Sequence, residues 1–129
     1  MIATAALLVI LAGAAWLGIV GITCIVSPER AREGLAAMGS TWRIQLGEHI
    51  PRAIVGVAMV AHAPLSKASL PMEIAGWFIF ASSVVILLLP MRWHHAYAVW
   101  WAERIPLAAY RIFAVPTLAI AVLLAYTTL

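Results

Sequence analysis

With 129 residues, 65% of them hydrophobic and only 10% charged, the chain falls outside the composition of soluble globular domains. Its formal charge of +3 rests almost entirely on arginine, with no basic run, which argues against a nucleic-acid partner and for membrane lipid headgroups. Apolar runs of about eighteen or more residues indicate an all-α integral membrane protein, and the length fits one membrane domain, residues 1–129.

The first apolar run, Ile2–Val26, has no basic residue before it and is longer than the roughly 7–15 residues of a signal-peptide core, so it reads as a retained transmembrane helix. Ala14, Gly18 and Gly21 share one face of it, a spacing that lets another helix approach closely. Cys24, the single cysteine, has no partner for a disulfide or a redox motif and reads as a small buried residue. Ser27-Pro28-Glu29 then restarts a helix: serine as N-cap, proline in the first turn, glutamate at the positive dipole end. Ala31, Leu35, Met38 and Trp42 line one face of that helix, opposite Glu29, Arg30, Arg32 and Glu33. It reads as a short interfacial helix closing near Gly39.

The second span is the weak one. Only Ala53–Ala61 is free of charge between Arg52 and His62, so a crossing of about 20 residues must start near Ile44 and carry Glu48, His49 and Arg52 in its first half. Each Ile or Val contributes roughly −0.3 to −0.6 kcal/mol to insertion, while a central Arg costs about 2.5 to 3.5 kcal/mol. Such a helix inserts with help from its neighbours. His62-Ala63-Pro64 ends it, and Leu65–Pro71 forms a turn. The third span, Glu73–Leu89, offers Gly76, Ala81, Ser82 and Ser83 as packing positions.

Pro90 ends that run. Trp93, Tyr97, Trp100, Trp101 and Arg104 then recur on one helical face, the aromatic pattern of a second interfacial helix. The fourth span, Ile112–Leu129, carries an expected kink at Pro116. Four transmembrane helices therefore fall into two parallel two-span halves, 1–64 and 70–129, each with a cytoplasmic amphipathic helix. Pro28 corresponds to Pro90, and Arg52-Ala53-Ile54 to Arg111-Ile112-Phe113. Seven of the eight basic residues lie in the two long connections and only Lys67 in the other loop, so the long connections belong in the cytoplasm and both termini outside.

The sharpest chemical constellation is Glu48, His49 and Arg52. Glu48 and Arg52 stand at i and i+4 in the order that favours an ion pair, and ionisable groups at membrane depth point to function. Either Arg52 would contact an anionic headgroup or a quinone, or Glu48 and His49 would accept a proton, and Arg111 is the equivalent lipid contact of the second half. The opposing reading places the cluster at headgroup level, where charges cost little. His94 and His95 join His49 on the same side, but no spaced ligand motif supports a metal. Ala58 and His62 resemble the small-residue-then-His arrangement that seats a chlorophyll in light-harvesting helices, which leaves a tetrapyrrole as an alternative rather than an expected cofactor.

There is no Asp, no nucleophile elbow, no phosphate loop and no Cys pair, so the chain is not expected to be an enzyme. Ser27-Pro28, Arg43, Arg52 and Gly56 together resemble the small YjeT-like inner-membrane proteins of bacteria, over about half the chain. That resemblance implies the bacterial inner membrane. The function expected is a non-enzymatic accessory or assembly subunit docked on a larger membrane complex. The alternative is a small homo-oligomeric transporter or lipid- or quinone-binding protein using Glu48, His49 and Arg52.

Overall fold

The computed structural model describes all 129 residues and contains six α-helices and no strand. In chain order these are α1 (Ile2–Val26), α2 (Pro28–Ala37), α3 (Trp42–His62), α4 (Ser69–Leu88), α5 (Met91–Arg104) and α6 (Leu107–Thr128), with a 3-10 turn at Ala63–Leu65. Three of them, α1, α4 and α6, are long and apolar enough to cross a membrane. The fourth expected span, α3, is not. Its 21 residues have the length, but Arg43, Gln45, Glu48, His49 and Arg52 fill its first half.

Two boundaries also differ from expectation. Helix α4 starts at Ser69 rather than Glu73 and takes in Pro71. Its missing N–H costs nothing there, because the first four amides of a helix have no intrahelical acceptor. Helix α6 starts at Leu107 rather than Ile112, so Tyr110 and Arg111 are helical, and the helix runs on through Pro116.

Ser27 and Pro28 open α2 as expected, although the serine hydroxyl makes no capping bond. The helix ends at Ala37, and Gly39 takes a φ of +72°. Thr41 then caps α3, its hydroxyl accepting from Ile44 N at 3.2 Å. A side chain at Gly39 would be strained by that φ, and its Cβ would also lie 2.9 Å from the His95 amide of α5. Trp42 is therefore the first residue of α3, not the last of the α2 face.

The helices pair in two antiparallel sets, α1 with α6 and α3 with α4, and α1 lies against α3. Small residues set these approaches. Gly56 and Gly76 meet at the α3–α4 crossing, Gly21 takes the Leu118 side chain, and Gly13 faces Val55. Ala6, Ile10, Ala58, Met59, Ala63 and Met72 form a core at the Lys67 end of the bundle, with Leu124 of α6 against it. A smaller core of Cys24, Tyr110 and Ala114 sits at the opposite, arginine-rich end, where Ala31 and Leu35 of α2 cover it. There α2 and α5 pack on each other, with Ala98 and Ala102 of α5 buried.

At the other end the turn after α3 closes on the tip of α6. Lys67 N donates to Thr127 O at 2.8 Å, Lys67 Nζ donates to Tyr126 O at 3.1 Å, and His62 Nε2 lies 3.0 Å from Thr128 O. These contacts satisfy carbonyls that the last turn of a helix leaves open.

Candidate functional site

Helix α3 brings Gln45 and His49, one turn apart, onto its inner face, and both are fully buried. The Gln45 Oε1 atom is 2.9 Å from His94 Nδ1 of α5. A carbonyl oxygen can only accept, so the imidazole donates, which fixes its tautomer. A longer contact of 3.5 Å runs from Gln45 Nε2 to Ile86 O of α4. The His49 ring lies beside that of His94, centroids 5.1 Å apart and tilted by 59°. Neither nitrogen of His49 has a hydrogen-bond partner. The Glu48 carboxylate approaches His49 Nε2 to 3.8 Å, beyond hydrogen-bond range, and no other basic side chain comes within 4 Å of a carboxylate. His95 turns the other way and donates from Nδ1 to Met38 O at 2.9 Å, tying α5 to the α2–α3 turn.

The Glu48–Arg52 pair expected from their spacing is not formed. Glu48 turns toward His49, while Arg52 reaches across to α4 and donates to Ser82 Oγ at 3.1 Å. That hydroxyl donates onward to Ile79 O at 3.0 Å. A sequence carries the i, i+4 spacing but not the competing acceptor on a neighbouring helix. Arg111 is elsewhere again, its Nε bonded to Ile25 O at the end of α1, 3.2 Å away. Glu48 and His49 thus share a place with Gln45 and His94, and Arg52 and Arg111 stand apart from it. Sequence reasoning had passed over Gln45. Its signal was its position four residues before His49, on the same helical face.

The aromatic anchors of α5 all face outward. Trp93, Tyr97, Trp100 and Trp101 are exposed, with Trp100 and Trp101 edge to face at 4.9 Å and the Arg104 guanidinium 4.0 Å over the Trp100 ring. Trp42 is exposed too, at the start of α3. Of the three packing residues on α1, Ala14 and Gly21 are buried, whereas a Cβ on Gly18 would meet open space. His62 is buried, its ring turned inward onto α6 with Nδ1 unpartnered, and Ala58 belongs to the core. No three His, Cys, Asp or Glu side chains converge as metal ligands would.

Two grooves of about 160 and 270 Å³ run along the α3–α4 seam. They are lined by apolar side chains alone, among them Ile54, Val57, Trp77 and Phe80, and neither reaches Glu48, His49 or Arg52. Comparison with protein-family models, curated proteins and solved structures finds no match.

Proposed function

We propose that this chain is a non-enzymatic integral membrane protein that serves as an accessory or assembly subunit of a larger membrane complex. The supporting observation is where its polar side chains go. Arg52, His62 and Arg111 each reach a backbone carbonyl or hydroxyl of another helix of the same chain, and Arg32 and His95 reach carbonyls of the turns after α5 and α2. They act as staples between parts of the fold, and the two grooves along the α3–α4 seam offer a reactant no polar group. Recognition then falls to the outer apolar surface and to the aromatic face of α5.

In this reading α3 crosses the membrane as a fourth span, carried by its close pairing with α4 and by the Arg52–Ser82 bond. The arginine-rich end faces the cytoplasm of a bacterium and both termini lie outside, by the asymmetry of basic residues. Mild detergent extraction followed by native mass measurement tests the role. A stoichiometric partner chain is the expected result, and a stable lone monomer would sink it.

A second reading, a homo-oligomeric transporter or lipid- or quinone-binding protein, draws on one specific observation: His49 is fully enclosed with both ring nitrogens unpartnered. Buried polar groups left this way are uncommon and call for an explanation. Glu48→Gln and Arg52→Ala separate the two ideas. Loss of transport or ligand binding with undiminished folded protein favours the second reading; loss of abundance alone favours the first.

A further inference from the structure

We propose that the junction of the α1 end, α2 and the α6 start is a binding site for a phosphate group. Four features converge there. Tyr110 is only 4% exposed, and its hydroxyl is buried without a partner. Arg32 donates from Nη2 to Ile105 O at 2.9 Å, yet its Nε is buried and unpartnered. Its guanidinium lies 5.9 Å from the centre of the Tyr110 ring. Arg111, the next residue along α6, is exposed and commits only Nε, to Ile25 O. Finally, α6 begins after Pro106 with no side chain capping it, so the amides of Leu107 and Ala108 stay open while Ala109 N turns back to Pro106 O at 3.0 Å.

The Arg32 guanidinium stands beside the Tyr110 ring, and Arg111 and the first turn of α6 adjoin Tyr110 along the chain. Side chains on a helix lean toward its N-terminus, so Tyr110 leans back over the opening of α6, and Ile105 packs against the same cluster. No carboxylate lies within ion-pair distance of Arg32 or Arg111, the molecule's one such contact being at Glu48. Two guanidiniums, a phenolic O–H and an open helix N-terminus supply donors and positive potential without an anion to receive them. Phosphate suits that set, because its several oxygens accept from the planar donors of arginine and from helix amides together.

The site's level in the molecule names the source. It lies where the apolar run of α1 ends at Val26 and that of α6 begins at Ile112, the depth at which lipid phosphates sit in a membrane. The favoured ligand is the phosphodiester of an anionic phospholipid, with free phosphate as the other source of the same chemistry. This inference rests on the reading of the chain as a membrane protein and not on its accessory role, which is tested by a different observable.

The experiment uses the full chain in a phosphate-free maltoside detergent, titrated with phosphatidylglycerol, with diacylglycerol and with inorganic phosphate, and read by native mass spectrometry. Phosphatidylglycerol should bind and diacylglycerol should not. Tyr110→Phe removes one hydrogen bond to a charged group and should weaken binding by about tenfold. Arg32→Gln should weaken it at least as much, and Arg92→Gln, a charge loss on the exposed surface of α5, should leave it unchanged. Inorganic phosphate that binds as tightly as the lipid, with the same dependence on Tyr110, assigns the site to free phosphate. If Arg32→Gln fails to fold, Tyr110→Phe decides alone. Wild-type binding in Tyr110→Phe, equal loss in Arg92→Gln, or no phosphate binding at all would overturn the proposal.

Discussion

Gly56 of α3 and Gly76 of α4 meet backbone to backbone, each so placed that a Cβ on it would lie 2.8 Å from the other's carbonyl oxygen. At Gly56 every close atom is main chain, from Gly76 and Phe80, whereas at Gly76 the Val60 and Met59 side chains stand beside the Gly56 carbonyl. A carbonyl oxygen blocks each position and cannot give way as a side-chain tip can. Their contact is what allows the most polar long helix to lie flat against an apolar one, and it brings Arg52 within reach of Ser82.

Gly56→Ala and Gly76→Ala should therefore each force the α3–α4 pair apart and cost about 1–3 kcal/mol, as overpacking typically does. Gly18→Ala is the control, since open space surrounds that position and alanine favours a helix over glycine by about 1 kcal/mol. Unfolding midpoints in detergent, followed by circular dichroism, check the contrast. Equal effects at Gly18 and Gly56 would refute it.

Arg52→Leu exchanges a costly central residue for a favourable one, so α3 alone should insert more readily by about 3 kcal/mol. Glycosylation scoring of the isolated α3 segment in microsomes measures this. Unchanged insertion would mean that Arg52 already rests at headgroup level. In the whole chain the same substitution removes the tie to Ser82, so easier insertion should come with a looser α3–α4 pair.

The cluster around His49 makes opposite predictions for two neighbours. Gln45→Leu strands the N–H of the half-buried His94 and should cost about 1 kcal/mol or more. His49→Phe removes two unpartnered nitrogens and keeps a ring against His94, so stability should hold or rise by up to about 1 kcal/mol. A marked loss of stability in His49→Phe would show that His49 has a partner in the membrane and would strengthen the ligand-binding reading.

The helical class was legible because apolar runs are one-dimensional information: Ile2–Val26 appears in the structure with its predicted boundaries. The outward aromatic face of α5 was equally readable, since Trp93, Tyr97, Trp100 and Trp101 follow the helical repeat. Where charge stood in for a boundary, the reading went astray. Arg111 looked like the end of a connection, but the carbonyl of Ile25 gives it a place inside α6. Arg52 looked like the partner of Glu48 because only local spacing is visible in sequence, whereas its acceptor lies on another helix. Gln45 was overlooked for the same reason: nothing before the fold says that His94 will arrive beside it.

The staples have a mechanical consequence. Arg32 to Ile105, Gln45 to Ile86 and His94, Arg52 to Ser82, His62 to Thr128, His95 to Met38 and Arg111 to Ile25 all join a residue before the Lys67 turn to one after it. They are spread over both ends of the bundle, so neither three-helix portion can peel away while the other keeps its shape. Pulled from its two ends in a bilayer, the chain should hold until a single rupture releases both portions together. Separately expressed pieces cut near Lys67 should likewise zip back into one unit. Two well-separated force steps, one for each portion, would contradict this.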